Sequence, residues 1–298
     1  MMENEIENRI KKDFDVSALT TFKVSLIARY YFYAESEQDL IDIINWANKN
    51  KIKLILIGGG SNILAAHTKI DAIVVKNGYI GKQIVKETDD YVLMKISSGY
   101  VVTRLAKETA EAGYSGLEWH FGLPGTVGGA IYMNSKWPKP TYYFGNDLIS
   151  AIILTSDGRI KTVDKEYFDF SYGYSSLQKT KDKLISAVFK LKKDDPEILK
   201  SRLREVMDYR RKTQPQGQKT AGCFFKNGSD YFAGEVIDKK LGLKGYCIGD
   251  ACVSTEHANF IINIGNATAE DIIKLKDLIK SQAKEKYNIE LVEEVEII

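Results

Sequence analysis

Two glycine-rich strings, GGGSN at Gly58–Asn62 and GLPGTVGGA at Gly122–Ala130, offer backbone to a ligand at close range. Glycine has no Cβ and tolerates positive φ, and successive N–H groups in such a turn form a nest for anions. The N–H groups of the first string, with the Ser61 hydroxyl, suit a pyrophosphate. In the second, Pro124 stiffens a loop that Gly122, Gly125, Gly128 and Gly129 keep open. The first string is not a G-x-G-x-x-G opening a helix, nor does it carry the Gly-Lys-Ser/Thr of a P-loop. A third string, AGCFFKN at Ala221–Asn227, adds the thiol of Cys223 and the polar pair Lys226–Asn227. Taken alone, Cys223 reads as a buried structural cysteine, the usual fate of a free thiol. Glu294 and Glu296 read as the polar face of a terminal strand.

The elements that must position these strings are visible as pattern. Ala28–Ala34 reads as a strand, and Ser36 with Asp39 as a capping box. Leu40, Ile43, Ile44 and Ala47 then recur at helical spacing. Lys53–Ile57 is a short buried strand running straight into Gly58, and Asp71–Val75 is another. Tyr91–Ser97 is a strand, followed from about Thr103 by a helix with Leu105, Ala106, Thr109 and Ala110 inward and Gly113 at its end. Ile152–Thr155, Arg159–Val163 and Leu184–Leu191 supply further strands. Asp195 and Pro196 start a helix as N-cap and N1, with Leu199, Leu203, Val206 and Arg210 on one face. Thr268 and Asp271 start the last helix, striped by Ile272, Leu275 and Ile279, before a closing strand at Leu291–Ile298.

At 298 residues the chain exceeds one small core. A net charge of +2 gives no reason to expect nucleic acid or an anionic membrane as partner. The three cysteines, Cys223, Cys247 and Cys252, include no C-x-x-C pair, so neither a disulfide framework nor a zinc site is expected. A reducing cytoplasm is the simplest home. The charged start, MMENEIENRIKKDF, is unlike a signal peptide, and no stretch approaches the roughly 18 apolar residues of a membrane span.

Taken in order, these strings resemble the UDP-N-acetylenolpyruvoylglucosamine reductases (UDP-N-acetylmuramate dehydrogenases), flavoenzymes of peptidoglycan precursor synthesis. TTFKVSLIARYYF (Thr20–Phe32), GGGSN, GLEWHFGLPGTVGGAIYMN (Gly116–Asn134) and RRKTQP (Arg210–Pro215) carry the first part of the likeness. AGCFFKN, AGEVIDKKLGLKG (Ala233–Gly245), HANFIIN (His257–Asn263) and EEV (Glu293–Val295) carry the rest, in the form that lacks an extra substrate loop. The resemblance implies an α+β fold. Two FAD-binding subdomains of the vanillyl-alcohol-oxidase type would occupy 1–78 and 79–194, and a substrate domain 195–298. It implies that NADPH reduces non-covalently bound FAD, which then delivers hydride to UDP-N-acetylglucosamine enolpyruvate. Gly58, Gly59, Gly60, Ser61 and Asn62 would hold the cofactor, together with Gly122, Pro124, Gly125, Thr126, Gly128 and Gly129.

Hydride addition to an unsaturated carboxylate leaves an enolate-like anion that must be stabilised and protonated. Where the family carries a proton-donating serine in A-G-S-x-F-K-N, this chain has Cys223. A thiol is the stronger acid, with an ordinary pKa of about 8.5, and is still mostly protonated at neutral pH. Glu294 matches the glutamate that assists at the same centre. Lys226 and Asn227 would contact the substrate diphosphate or sugar, and His257 and Asn259 the flavin or substrate. His67 and His120 match no motif and read as structural or surface residues.

Two departures from the family pattern stand out. Its Tyr-Arg-x-Ser is here Tyr172-Gly173-Tyr174-Ser175, which keeps Tyr172 and Ser175 for substrate but replaces the arginine that steadies the enolate. Its M-N-A-G-A-y-G is rebuilt as Met133-Asn134-Ser135-Lys136-Trp137-Pro138-Lys139-Pro140, from which Lys136 or Lys139 is expected to supply the missing cation. The competing reading is a catalytically silent flavin- or sugar-nucleotide-binding protein on the same fold. A monomer is expected.

Overall fold

Val92, Met94 and Ile96 alternate along the Tyr91–Ser97 strand and are all buried, the period-two signature of a strand with one packed face. The computed structural model describes residues 2–298, which fall into two units. One unit comprises residues through Lys11, Tyr30–Gly59 and Ala72–Arg210, and the other Lys12–Arg29, Gly60–Asp71 and Arg211–Ile298. The boundary at Gly59/Gly60 falls inside the GGGSN string.

In the first unit, Tyr91–Ser97 pairs antiparallel with Lys183–Lys193, which pairs in turn with Leu148–Leu154. Ile160–Asp164 and Lys82–Glu87 lie at the edges of this six-stranded sheet. The Val102–Glu111 helix buries Val102 and Leu105 in a core with Phe144, Phe168 and Phe189. A second core forms where Leu40, Ile43, Ile44 and Ala47 of the Glu37–Lys49 helix meet Phe32, Ile73 and Val75. Ser36 caps that helix, its Oγ accepting the Asp39 N–H at 3.0 Å. The reciprocal half of the expected capping box is replaced, because the Asp39 carboxylate accepts from Arg9 and from the Glu35 N–H. Leu54–Ile57 runs parallel to Lys69–Asn77, with Ile57 opposite Lys76, and delivers the chain directly to Gly58.

The second unit is built on an antiparallel sheet ordered Lys219–Cys223, Phe260–Asn263, Ala251–Val253, Cys247–Ile248. The Ala269–Tyr287 helix packs on it, with the Thr268–Asp271 capping box fully formed. Its Ile272, Leu275 and Ile279 share a core with Phe22, Phe224, Phe225 and Val295. The closing strand is shorter than its sequence suggests: only Glu296–Ile297 pairs as a strand, parallel to Ile63–Leu64. Helices and largely antiparallel sheets make the architecture α+β, as expected.

Cys247 and Cys252 are joined by a disulfide, contrary to the expectation from their spacing. They face each other across a hairpin whose loop is Gly249–Asp250, with Gly249 at φ +54°. A two-residue hairpin loop aligns the residues on either side across the ladder, so a separation of five in sequence becomes a direct cross-strand pair. Cys223 is the free cysteine. No helix among the described residues is long and apolar enough to cross a membrane.

Candidate active site

The two glycine strings lie against each other. A Cβ on Gly58 would stand 2.1 Å from Thr126 Oγ1, and one on Gly59 would stand 2.6 Å from the Pro124 carbonyl oxygen. The second string is stitched to Ser98–Val102 by hydrogen bonds from Val102 to Gly125 O, Val127 to Tyr100 O and Gly128 to Ser98 O. Gly129 differs from these glycines, since a Cβ there meets no atom within 4 Å. Glycine is needed at Gly58 and Gly59 so that the strings can touch; at Gly129 it bares backbone to open space. That combination of tight packing and one open backbone face fits a cofactor cradled by main chain.

Beyond the unit boundary, Gly60 adopts φ +64° with its carbonyl accepting the Thr21 N–H at 3.0 Å. Asn62 reaches the C-terminal segment: its Nδ2 donates to Glu294 O at 3.0 Å, and its carbonyl accepts from Glu296 N–H. Asn62, assigned to the cofactor from the sequence, also clamps the C-terminal segment that bears Glu294.

Cys223 ends the Lys219–Cys223 strand just after a register shift, and Gly222 within the shift has φ +81°. Such a bulge re-aims the side chain that follows. Asn259 holds the strand on one side, pairing both side-chain atoms with the Phe225 backbone at 3.0 and 2.8 Å. Glu294 N–H donates to Phe224 O on the other side at 2.8 Å. Cys223 and Glu294 are thereby brought together. Burial, and next the neighbouring Glu294 charge, push the Cys223 thiol up to about 12, yet Cys223 retains some accessible surface. Burial likewise raises the Glu294 carboxyl to about 7, partly opposed by the Lys226 charge. The thiol therefore keeps its proton at neutrality while the Glu294 carboxyl exchanges its own there, which suits delivery of a proton to a carbanion and its replacement.

A pH test follows from Glu294. Its folded pKa lies above its ordinary value, so the folded protein binds that proton more tightly than the unfolded chain. The stabilisation is complete below the ordinary carboxylate range and is lost as pH rises through about 7. Thermal melts should show stability declining across that window in the wild type. A Glu294→Gln variant should show a flatter profile; an unchanged slope would exclude Glu294 as its source.

The two departures from the family pattern meet in the first unit. Tyr172 and Gly173 occupy the centre of a tight turn closed by hydrogen bonds between Ser171 and Tyr174, with Gly173 at φ +62°. An arginine there would have to adopt the left-handed region, so the turn is rebuilt rather than merely shortened by a side chain. Asn134 ties this turn to the rebuilt loop, donating to Ser171 O at 3.1 Å and accepting from Gly145 N–H at 3.2 Å. Lys136 pairs with Tyr143 across a short hairpin, and its Nζ lies 5.9 Å from the Tyr143 ring centre and 5.4 Å from that of Tyr172. A cavity of about 400 Å³ adjoins them, lined by Asn134, Tyr143, Phe170, Ser171 and Tyr172 among others. Lys139 is exposed, and its carbonyl accepts the Trp137 indole N–H.

Other predicted positions have internal tasks. Ser175 is fully buried and donates to Tyr132 O at 2.8 Å. Asn227 Oδ1 accepts the Ala233 N–H at 2.9 Å, and the Lys226 N–H donates to Val292 O. His257 Nδ1 accepts the Asn259 N–H at 3.2 Å. His120 is buried between Tyr142 and Phe144, its pKa lowered to about 3 by burial, while His67 is exposed. Arg210, seen in sequence only as a helix-face residue and the start of RRKTQP, donates from Nε to Phe121 O at 2.9 Å and lies 5.3 Å from the Trp137 ring centre. It thus braces both the second glycine string and the rebuilt loop.

The family of FAD binding domains matches residues 28–164, and that of the UDP-N-acetylenolpyruvoylglucosamine reductase C-terminal domain matches 214–298. A UDP-N-acetylenolpyruvoylglucosamine reductase from Bacillus pumilus is 37% identical over 94% of this chain and 90% of its own length. One from Bacillus subtilis is 38% identical over the same shares. The crystal structure of a UDP-N-acetylenolpyruvylglucosamine reductase from Thermus caldophilus aligns with a TM-score of 0.82 at 28% identity, covering 97% of this chain and 98% of that one. The fold and the paired glycine strings thus define an FAD-binding α+β flavoprotein. The chain belongs to the UDP-N-acetylenolpyruvoylglucosamine reductase family.

Proposed function

We propose that this chain catalyses the NADPH-dependent reduction of UDP-N-acetylglucosamine enolpyruvate to UDP-N-acetylmuramate, acting as a cytoplasmic monomer with non-covalent FAD. The observation that carries the reading is the meeting of Cys223, whose thiol burial keeps protonated, with Glu294, whose carboxyl burial raises to about 7. Bound FAD supplies the hydride. The Gly58–Ser61 and Gly122–Gly129 backbones bind and orient it; Cys223 gives its Sγ proton to the carbon next to the carboxylate, and Glu294 replenishes that proton. Two flavin subdomains, 1–78 and 79–194, and a substrate domain, 195–298, are part of the same reading. Anaerobic stopped-flow tests it: NADPH should bleach the flavin, and the enolpyruvyl sugar nucleotide should then restore its colour with a lactyl product. Reduced flavin that ignores this substrate would sink the assignment.

Lys136 takes the electrostatic part left open by Gly173 in this reading. Its ammonium already lies over Tyr172, the neighbour of Gly173, and a flexible four-carbon stem lets it swing toward a carboxylate. Lys136→Ala should lower enolpyruvate reduction by about 10²-fold, with Lys139→Ala near wild type. Unchanged turnover in the Lys136→Ala, Lys139→Ala double variant rules the role out.

A further inference from the structure

Lys76 stands where the sequence shows only a lone cation ending an apolar run, Ala72–Val75, and the chemistry above does not use it. It lies on the Lys69–Asn77 strand opposite Ile57, the last residue before the first glycine string. Its Nζ donates to the carbonyl oxygen of Gly58. Burial lowers the Lys76 pKa, so the fold bears the cost of a desolvated ammonium to keep this one bond. The Gly58–Gly59 peptide is trans, the cis bond among the described residues being Lys139–Pro140. In a planar trans peptide the C=O and the following N–H point in opposite directions. Fixing the Gly58 oxygen on the Lys76 side therefore fixes the Gly59 N–H toward the other side. The charge also polarises that peptide and strengthens its N–H as a donor.

We infer that Lys76 is a positioning residue for the cofactor loop, which by pinning the Gly58 carbonyl turns the Gly59 N–H onto a phosphate oxygen of FAD. The inference rests on the flavin reading of the glycine strings and adds to it a residue outside both. A merely structural lysine would weaken all flavins alike, whereas this role concerns the diphosphate alone.

The test is titration of FAD and of riboflavin, which has no phosphate, into apoprotein of the wild type, Lys76→Met and Lys76→Arg, followed by flavin fluorescence. Lys76→Met should weaken FAD binding about tenfold or more and leave riboflavin binding unchanged, and Lys76→Arg should restore FAD binding by donating to the same carbonyl. FAD affinity in Lys76→Met within about twofold of wild type, or equal losses for FAD and riboflavin, overturns the role. A second measurement needs no variant. In ¹⁵N-labelled wild type, the Gly59 amide should move downfield and resist exchange when FAD is added but not when riboflavin is; a Gly59 amide indifferent to bound FAD overturns the proposal even if Lys76→Met does not fold. Wild-type protein that takes up no FAD would instead sink the flavin reading beneath it.

Discussion

Replacing Cys223 by alanine is expected to slow reoxidation of the reduced enzyme by substrate about 10²- to 10⁴-fold, the range typical of a lost general acid. Reduction of the enzyme by NADPH should be unaffected, because no proton from Cys223 is required in that half-reaction. The asymmetry follows from the site. Burial pushes the thiol up to about 12, so it is fully loaded at working pH, and the bulge at Gly222 aims it away from the regular ladder. Serine carries a proton at the same place, so Cys223→Ser should recover most of the activity that alanine loses. Stopped-flow traces of the two half-reactions separate these outcomes. Equal oxidative rates in wild type and Cys223→Ala would remove Cys223 from the chemistry and leave it as a packing residue. Loss of both half-reactions together would point to a folding defect.

Local signals in the sequence carried far in this fold, and contacts between distant segments did not. The Tyr91–Ser97 strand and the buried Leu40–Ala47 stripe were legible because alternation and helical periodicity are properties of one segment. The Thr268–Asp271 capping box was legible for the same reason. Its analogue at Ser36 formed only in part, since Asp39 found Arg9, a partner thirty residues away that no local pattern reveals. The Cys247–Cys252 pair was missed because spacing alone does not say that a hairpin turns at Gly249–Asp250. In the candidate site, the resemblance named Cys223 and Glu294, but the two groups that hold them in place, Asn259 and Asn62, do so through side-chain bonds to backbone spanning 34 and 232 positions. Lys76 gave no signal beyond an odd charge at the end of a buried strand. Residue type pointed to the chemistry; tertiary packing decided which polar groups were spent on positioning it.

That division makes the glycine strings a sharp place to separate architecture from binding. A Gly59→Ala substitution sets a methyl 2.6 Å from the Pro124 oxygen and 2.9 Å from the Gly125 Cα. Both are backbone atoms and cannot rotate away, so the two strings must part. Forced overpacking of this kind costs on the order of 1–3 kcal/mol, and Gly59→Ala should lower the melting temperature of the apoprotein as well as its affinity for FAD. Gly129→Ala should behave oppositely toward stability. Its methyl meets nothing within 4 Å, and it lies in the Val127–Tyr132 helix, where alanine is favoured over glycine. The apoprotein should melt no lower than wild type, yet FAD affinity should fall roughly 10- to 100-fold because the methyl fills the open backbone face of the proposed cradle. Melting curves of the apoproteins and FAD titrations of both variants give four numbers to compare. If Gly129→Ala bound FAD as tightly as wild type, the open backbone face would not be where the flavin cofactor sits. The cradle would then have to be sought among the tightly packed glycines, whose substitution cannot distinguish a lost ligand contact from a broken fold.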